Sequence, residues 1–171
     1  MPDIIWKTSR LQARKLTLLD VDHLLKIFTD PIAMAYYPST KTREETIEWI
    51  KRNLQMYQNE GMGLWAIELK QSQTFIGQCG LVIQEVEGQK EIEIGYLFIR
   101  DFWGNGYATE AAHACKEYGF HVLQQQRFIS LIDPRNEASK GVAKRIGMNK
   151  EKEIVKWGKN IEVYAVHLTR Q

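Results

Sequence analysis

Apolar and polar residues change period several times along the 171-residue chain. Residues 11–16, L-Q-A-R-K-L, alternate and predict a first strand. Val21, Leu24, Leu25 and Phe28 recur at helical spacing, with Asp20 at the expected N-cap and Pro31 closing the segment. Thr42 followed by Glu45 makes a capping-box pattern. It opens a helix carrying Ile47, Ile50, Leu54 and Tyr57 on one face until Gly61 and Gly63. Residues 64–69 and 75–83 read as a hairpin, and 91–99 as a longer strand. A glycine-rich turn then leads into a helix over 105–123, and 128–132 is a short buried strand. Asn136 ends the turn Asp133-Pro134-Arg135-Asn136 and is placed to cap a short helix that stops at Gly147. Residues 149–157 and 161–168 predict a last hairpin around Gly158.

This order lacks the regular strand–helix alternation of a doubly wound sheet. It predicts an α+β (mixed α/β) fold, a mostly antiparallel sheet of about seven strands with helices on both faces. The helix after Gly106 must join two parallel strands, which places one crossover in mid-sheet. No linker, repeat or low-complexity stretch divides the chain, so residues 1–171 are expected to form one domain.

Composition narrows the function. A net charge of +2 gives no electrostatic reason to expect a nucleic acid or membrane partner. Two cysteines, Cys79 and Cys115, are too few for a disulfide framework, and the opening M-P-D-I-I-W-K has no signal-peptide core; both point to the cytoplasm. His23, His113, His121 and His167 have no metal-ligand spacing, so no metal is expected. Residue order alone supports no Ser-His-Asp arrangement.

The segment Ile92 to Ala111, I-E-I-G-Y-L-F-I-R-D-F-W-G-N-G-Y-A-T-E-A, carries the candidate chemistry. A strand runs into glycines, and the glycines run into a helix. Such a turn gathers unpaired N–H groups at a helix N-terminus, a site for phosphate that needs no lysine. Gly104 and Gly106 suit it because glycine takes positive φ without strain. A Walker loop is excluded, since Gly106-Tyr107-Ala108 stands where G-K-[ST] is required. A dinucleotide fingerprint fits poorly: Thr109 replaces its third small residue, although Asp133 imitates a ribose-binding acid.

The run W-G-N-G-Y-A-T-E-A resembles motif A, Q/R-x-x-G-x-G/A, of the GNAT superfamily of acetyl-CoA-dependent N-acetyltransferases. It looks most like the branch containing the ribosomal-protein N-terminal acetyltransferases. S-R-L-Q-A-R-K-L-T-L-L-D resembles that branch's first strand and helix start, I-E-I-G-Y-L its central strand, and I-D-P-R-N-E-A-S-K-G-V-A-K-R-I-G-M its second cofactor segment. The resemblance implies a GNAT-type sheet and acetyl-CoA as co-substrate. A bulge in the central strand would splay it from the strand at Phe128, and the pantetheine arm would pair in that gap with Leu97, Phe98 and Ile99. Phe102, Trp103, Gly104, Asn105, Gly106, Tyr107, Ala108 and Thr109 would form the pyrophosphate turn, with Trp103 packed beneath it. Asn136 and Ser139 would contact the arm, and Lys140, Lys144 and Arg145 are candidates to reach the nucleotide phosphates.

Amine acetylation needs a neutral amine, a polarised thioester carbonyl and their close placement. Strand alternation puts Glu91, Glu93, Gly95 and Leu97 on one side and Ile92, Ile94, Tyr96 and Phe98 on the other. Glu93 matches a glutamate that serves as base in several family members and is the candidate base, with Glu91 second. The resemblance assigns carbonyl polarisation to the Leu97 main-chain N–H, and Ser139 matches a serine near the thiol. Tyr36, Tyr37, Trp49, Tyr57 and Trp65 are aromatic candidates for the amine pocket. Two positions depart from the family pattern. Asp101 replaces the first motif residue, and Ala143 stands where many members carry a tyrosine acid. The expected partners are acetyl-CoA and an amine, either a protein N-terminus or a small molecule, bound by a monomer or homodimer. The rival readings are a non-catalytic acyl-CoA sensor of the same fold and a dinucleotide-dependent oxidoreductase.

Overall fold

A computed structural model describes residues 3–169. One sheet contains β1 (Ile4–Lys7), β2 (Leu11–Lys15), β3 (Leu64–Leu69), β4 (Phe75–Val86), β5 (Gln89–Phe98), β6 (Arg127–Ile132), β7 (Asn149–Lys156) and β8 (Lys159–His167). The strand order is β1-β2-β3-β4-β5-β6-β8-β7. Every neighbouring pair is antiparallel except β5 and β6. The eighth strand is β1, a four-residue edge strand without a clean alternation in its I-I-W-K sequence.

The helices are α1 (Val21–Phe28), α2 (Arg43–Glu60), α3 (Tyr107–His121) and α4 (Glu137–Arg145). Ala111, Cys115, Val142 and Ala143 from α3 and α4 pack with Ile94 and Phe98 on one face of the sheet. Leu24 and Phe28 of α1 and Ile50 of α2 pack with Phe75, Leu97 and Ile99 on the other. Alternation along β5 thus sends Tyr96 to the α3/α4 face and Leu97 to the α1/α2 face.

Thr42 and Glu45 form the expected capping box, and Gly61 ends α2 at φ +69°. Asp20 behaves differently from expectation. Thr17 caps a short 3-10 turn, Leu18–Asp20, and Asp20 returns its carboxylate to the Thr17 N–H at 2.8 Å. The same carboxylate takes two bonds from Arg14, at 2.8 and 2.9 Å, while Arg14 also reaches Glu68 at 3.0 Å. A buried guanidinium outcompetes the cap because both partners would otherwise be desolvated without compensation.

Candidate active site

The sheet parts in its middle. β5 and β6 are bridged only at Glu93↔Ile129. The expected bulge is absent from β5: its pairing with β4 runs in unbroken register from Gly77↔Phe98 to Val86↔Gln89. Side chains produce the splay instead. The Glu93 carboxylate accepts the Leu131 N–H at 2.8 Å, and the Ser130 hydroxyl donates to the Ile94 carbonyl at 2.9 Å. Both satisfy ladder groups without drawing the strands together.

Glu93 stands at the fork. Its other oxygen accepts from the Gln84 amide at 3.0 Å. Burial pushes its pKa up to about 7, against the pull of the Leu131 and Gln84 hydrogen bonds and the nearby Lys156 charge. Tyr37, on the connection between α1 and α2, is part-exposed, with its hydroxyl desolvated near Glu93. Burial raises its pKa, and the Glu93 charge raises it further. That connection is fastened down by Lys159, which donates to the Tyr36 carbonyl at 2.8 Å and to Asp133 at 3.1 Å. Tyr36 donates in turn to the Arg135 carbonyl at 3.2 Å. Lys159 and Asp133 therefore brace the rim of the gap, a role with no local sequence signal. Hydrogen bonds from Arg135 hold the Asp133 carboxyl far below its usual range. With Arg135 and Lys159 on it, Asp133 is committed within the protein and does not serve the ribose role of the dinucleotide reading.

On the opposite face, Tyr96 reaches α4. Its hydroxyl lies 3.0 Å from both the carbonyl and the hydroxyl oxygen of Ser139. Asn136 caps α4, accepting the Ser139 N–H at 3.1 Å. Ala143 is fully buried in the core.

Leu97 does not fit the donor role expected of it. Ile99 donates its N–H to Ile76 of β4 at 2.9 Å. Alternation then turns the Leu97 N–H toward Gln78 of β4, its paired residue. The N–H groups of Tyr96 and Phe98 face the gap. The parity of a strand's hydrogen bonds depends on which neighbour pairs with which residue, which side-chain alternation alone does not reveal.

The glycine turn has the expected form. Gly104 and Gly106 have φ of +81° and +78°. Side chains tie the turn by its carbonyls: Asn105 bonds those of Phe102 and Trp103, and Arg10 donates to the Asn105 carbonyl at 2.9 Å. Arg10 and Thr8 also grip Glu110 in the first turn of α3. The first helical bond runs from the Glu110 N–H to Gly106. Among the described residues, the N–H groups of residues 104–109 have no protein acceptor. Arg145 places a guanidinium beside this turn, donating to the Thr109 hydroxyl at 3.3 Å. Lys140 is instead engaged by Glu137 and Glu162.

Trp103 differs from expectation. It is 47% exposed, held by a 3.0 Å bond from its indole N–H to the Phe98 carbonyl, while Phe102 turns into the core. Tyr57 and Trp65 are also core residues, which removes them from the amine pocket. Trp49 lies on the same sheet face as Glu93 but further along it, donating at 3.0 Å to Gln78, which is paired with Leu97.

Residues 10–149 match the family described as "Acetyltransferase (GNAT) domain". The chain belongs to the GNAT acetyltransferases. This GNAT domain is 48% identical over 138 residues to the uncharacterized protein YkkB of Bacillus subtilis, covering 81% of the chain and 80% of the relative. Among solved structures it resembles an acetyltransferase from Agrobacterium tumefaciens, with 26% identity, a TM-score of 0.84 and coverage of 98% and 96%. It shares its fold with RimL, a ribosomal L7/L12 alpha-N-protein acetyltransferase solved with coenzyme A, at 19% identity, a TM-score of 0.78 and coverage of 97% and 98%. Among the described residues of this GNAT domain, no helix is long and apolar enough to cross a membrane, and no cluster of three or more His, Cys, Asp or Glu is placed to hold a metal ion.

Proposed function

We propose that this chain moves an acetyl group from acetyl-CoA to a primary amine by direct attack. The observation that carries the reading is the fork between β5 and β6, with the Glu93 carboxylate inside it and a pKa of about 7. A base of that strength is ionised in a large fraction of molecules at neutral pH, and it can take the proton that the amine nitrogen must lose as it attacks.

The remaining parts have assigned places. The free N–H groups of Gly104 to Thr109 hold the diphosphate, and Arg145 adds a positive charge beside them. The pantetheine arm lies in the gap along Leu97, Phe98 and Ile99 and passes Asn136 at the head of α4. The carbonyl is polarised by the main-chain N–H groups of Tyr96 and Phe98, which face the gap. The amine enters from the α1/α2 face, where Tyr37 lies close to Glu93. The C–S bond breaks as the N–C bond forms, and Ser139 attends the departing sulfur.

The acceptor is a protein N-terminus or a small amine. RimL, of the same fold, is an alpha-N-protein acetyltransferase, which favours testing N-terminal peptides first. The chain is proposed to work as one domain in the cytoplasm. Its two buried cysteines are free thiols 3.5 Å apart, in keeping with a reducing compartment.

The test is thiol release from acetyl-CoA across a panel of N-terminal peptides and small amines. Release that depends on the amine is the expected result. Ala143, which leaves α4 without a phenol, favours the second reading, a non-catalytic acyl-CoA sensor. Tight CoA binding with no turnover on any amine would select it.

A further inference from the structure

Two hydroxyls meet on the α3/α4 side of the gap, and one of them has no assigned task. The Tyr96 oxygen is 3.0 Å from the Ser139 carbonyl and 3.0 Å from the Ser139 hydroxyl. Tyr96 lies three residues beyond Glu93, the last residue of β5 paired with β6. It projects to the face opposite Glu93, so base and hydroxyl pair flank the gap from its two sides. We propose that Tyr96 is a positioning residue for Ser139, holding the serine hydroxyl so that its proton can be turned onto the departing sulfur. This rests on the acetyl-transfer reading above and deepens it.

Each hydroxyl carries one proton, so the pair has two arrangements. In one, Tyr96 donates to the Ser139 carbonyl and accepts from the Ser139 hydroxyl. In the other, Tyr96 donates to the Ser139 oxygen, and the serine proton is free to point away from the pair. Rotating the two O–H bonds interconverts them without moving a heavy atom. As the C–S bond breaks, its electron pair stays on sulfur, and the second arrangement offers that sulfur a charge-assisted hydrogen bond. No net proton leaves the pair. Burial raises the Tyr96 pKa above its ordinary value, which already exceeds that of a thiol. The phenol therefore keeps its proton throughout. The proton of the attacking amine goes to Glu93, and the thiolate is protonated by water. The arrangement gives a chain with Ala143 on α4 a phenol at the same helix, supplied from β5.

The experiment compares Tyr96→Phe, Ser139→Ala and the double variant with wild type, using acetyl-CoA and an amine that wild type acetylates. Each single change should lower kcat roughly 10- to 100-fold, the range for losing one hydrogen bond to a charged group. KM for acetyl-CoA should stay within about twofold, because the bond is made to a charge that develops only as the sulfur departs. The double variant should be no slower than Ser139→Ala, since Tyr96 acts only through the serine. A purely structural tie would instead lower Tm and give effects that multiply. Full kcat in Tyr96→Phe, or a multiplicative double variant, overturns the proposal and leaves acetyl transfer standing. Should Tyr96→Phe fail to fold, Ser139→Ala tests the pair from its other, less buried partner, and full activity there overturns the proposal equally. A wild-type protein that turns over no amine overturns the acetyl-transfer reading, and this inference with it.

Discussion

Replacing Glu93 with glutamine should make the protein more stable and less active, with both effects governed by pH. The glutamine oxygen can still accept the Leu131 N–H, and Gln84 can turn its own amide oxygen toward the new NH2 group, so the fork keeps its hydrogen bonds. What disappears is the cost of ionising a desolvated carboxyl. The folded pKa is about 7 against 4.5 for the unconstrained side chain. At 1.36 kcal/mol per pH unit, the ionised fold is disfavoured by at most about 3 kcal/mol. The sign follows from proton binding. Between pH 4.5 and 7 the folded state holds a proton that the unfolded state has released, so wild-type stability falls as pH rises through that window and levels off above it. The glutamine variant should lack this loss. Denaturant midpoints measured from pH 4 to 9 should coincide near pH 4, separate in favour of Glu93→Gln between pH 4.5 and 7, and hold that separation above pH 7. Acetyl transfer should move the other way, falling roughly 10²- to 10⁴-fold at neutral pH and recovering as alkaline buffer deprotonates the amine. Parallel stability curves would refute the desolvated carboxylate, and full activity with a flat pH response would remove Glu93 from the reaction.

Gly104→Glu should weaken CoA binding more than tenfold by calorimetry, because a carboxylate at the turn repels the diphosphate. Gly104→Ala is the control, paying only for a left-handed backbone, about 1–2 kcal/mol of stability. Gly119→Ala should destabilise the fold although helix propensity alone favours alanine by about 1 kcal/mol. A Cβ there would lie 2.2 Å from the Phe128 ring, which is packed against Phe120. Overpacking of that kind costs roughly 1–3 kcal/mol and should appear as a lower urea midpoint.

Local chemistry was legible in the sequence where a few adjacent residues decide the outcome. Thr42 and Glu45 announce their capping box, and Gly104 and Gly106 announce a turn whose backbone takes positive φ. The order of strands and helices yields the mixed sheet with its single parallel pair. Features set by distant partners were not legible. Asp20 abandons its predicted cap because Arg14 needs it, and Arg14 is buried only once β3 brings up Glu68. Face alternation correctly separates Glu93 from Tyr96, but it does not tell which main-chain groups of β5 turn toward β6, and the Leu97 N–H turns toward Gln78 of β4 instead of the gap. Tyr96 and Ser139 are 43 residues apart, and only the crossover through α3 brings them together. Trp103, expected beneath the pyrophosphate turn, is instead half-exposed and held by the bond from its indole N–H to the Phe98 carbonyl.

The single bridge between β5 and β6 gives this sheet a second pair of margins, and these lie at its centre. Outer margins must be guarded against stray chains, since their unpaired N–H and C=O groups invite another strand. The inner ones are shielded by α3 and α4 on one side and by α1 and α2 on the other. A folded neighbour cannot reach them, but a slender extended molecule can. Amide exchange at the inner ends of β5 and β6 should accordingly slow when such a molecule threads the slot, whereas the rims at β1 and β7 should keep their rates.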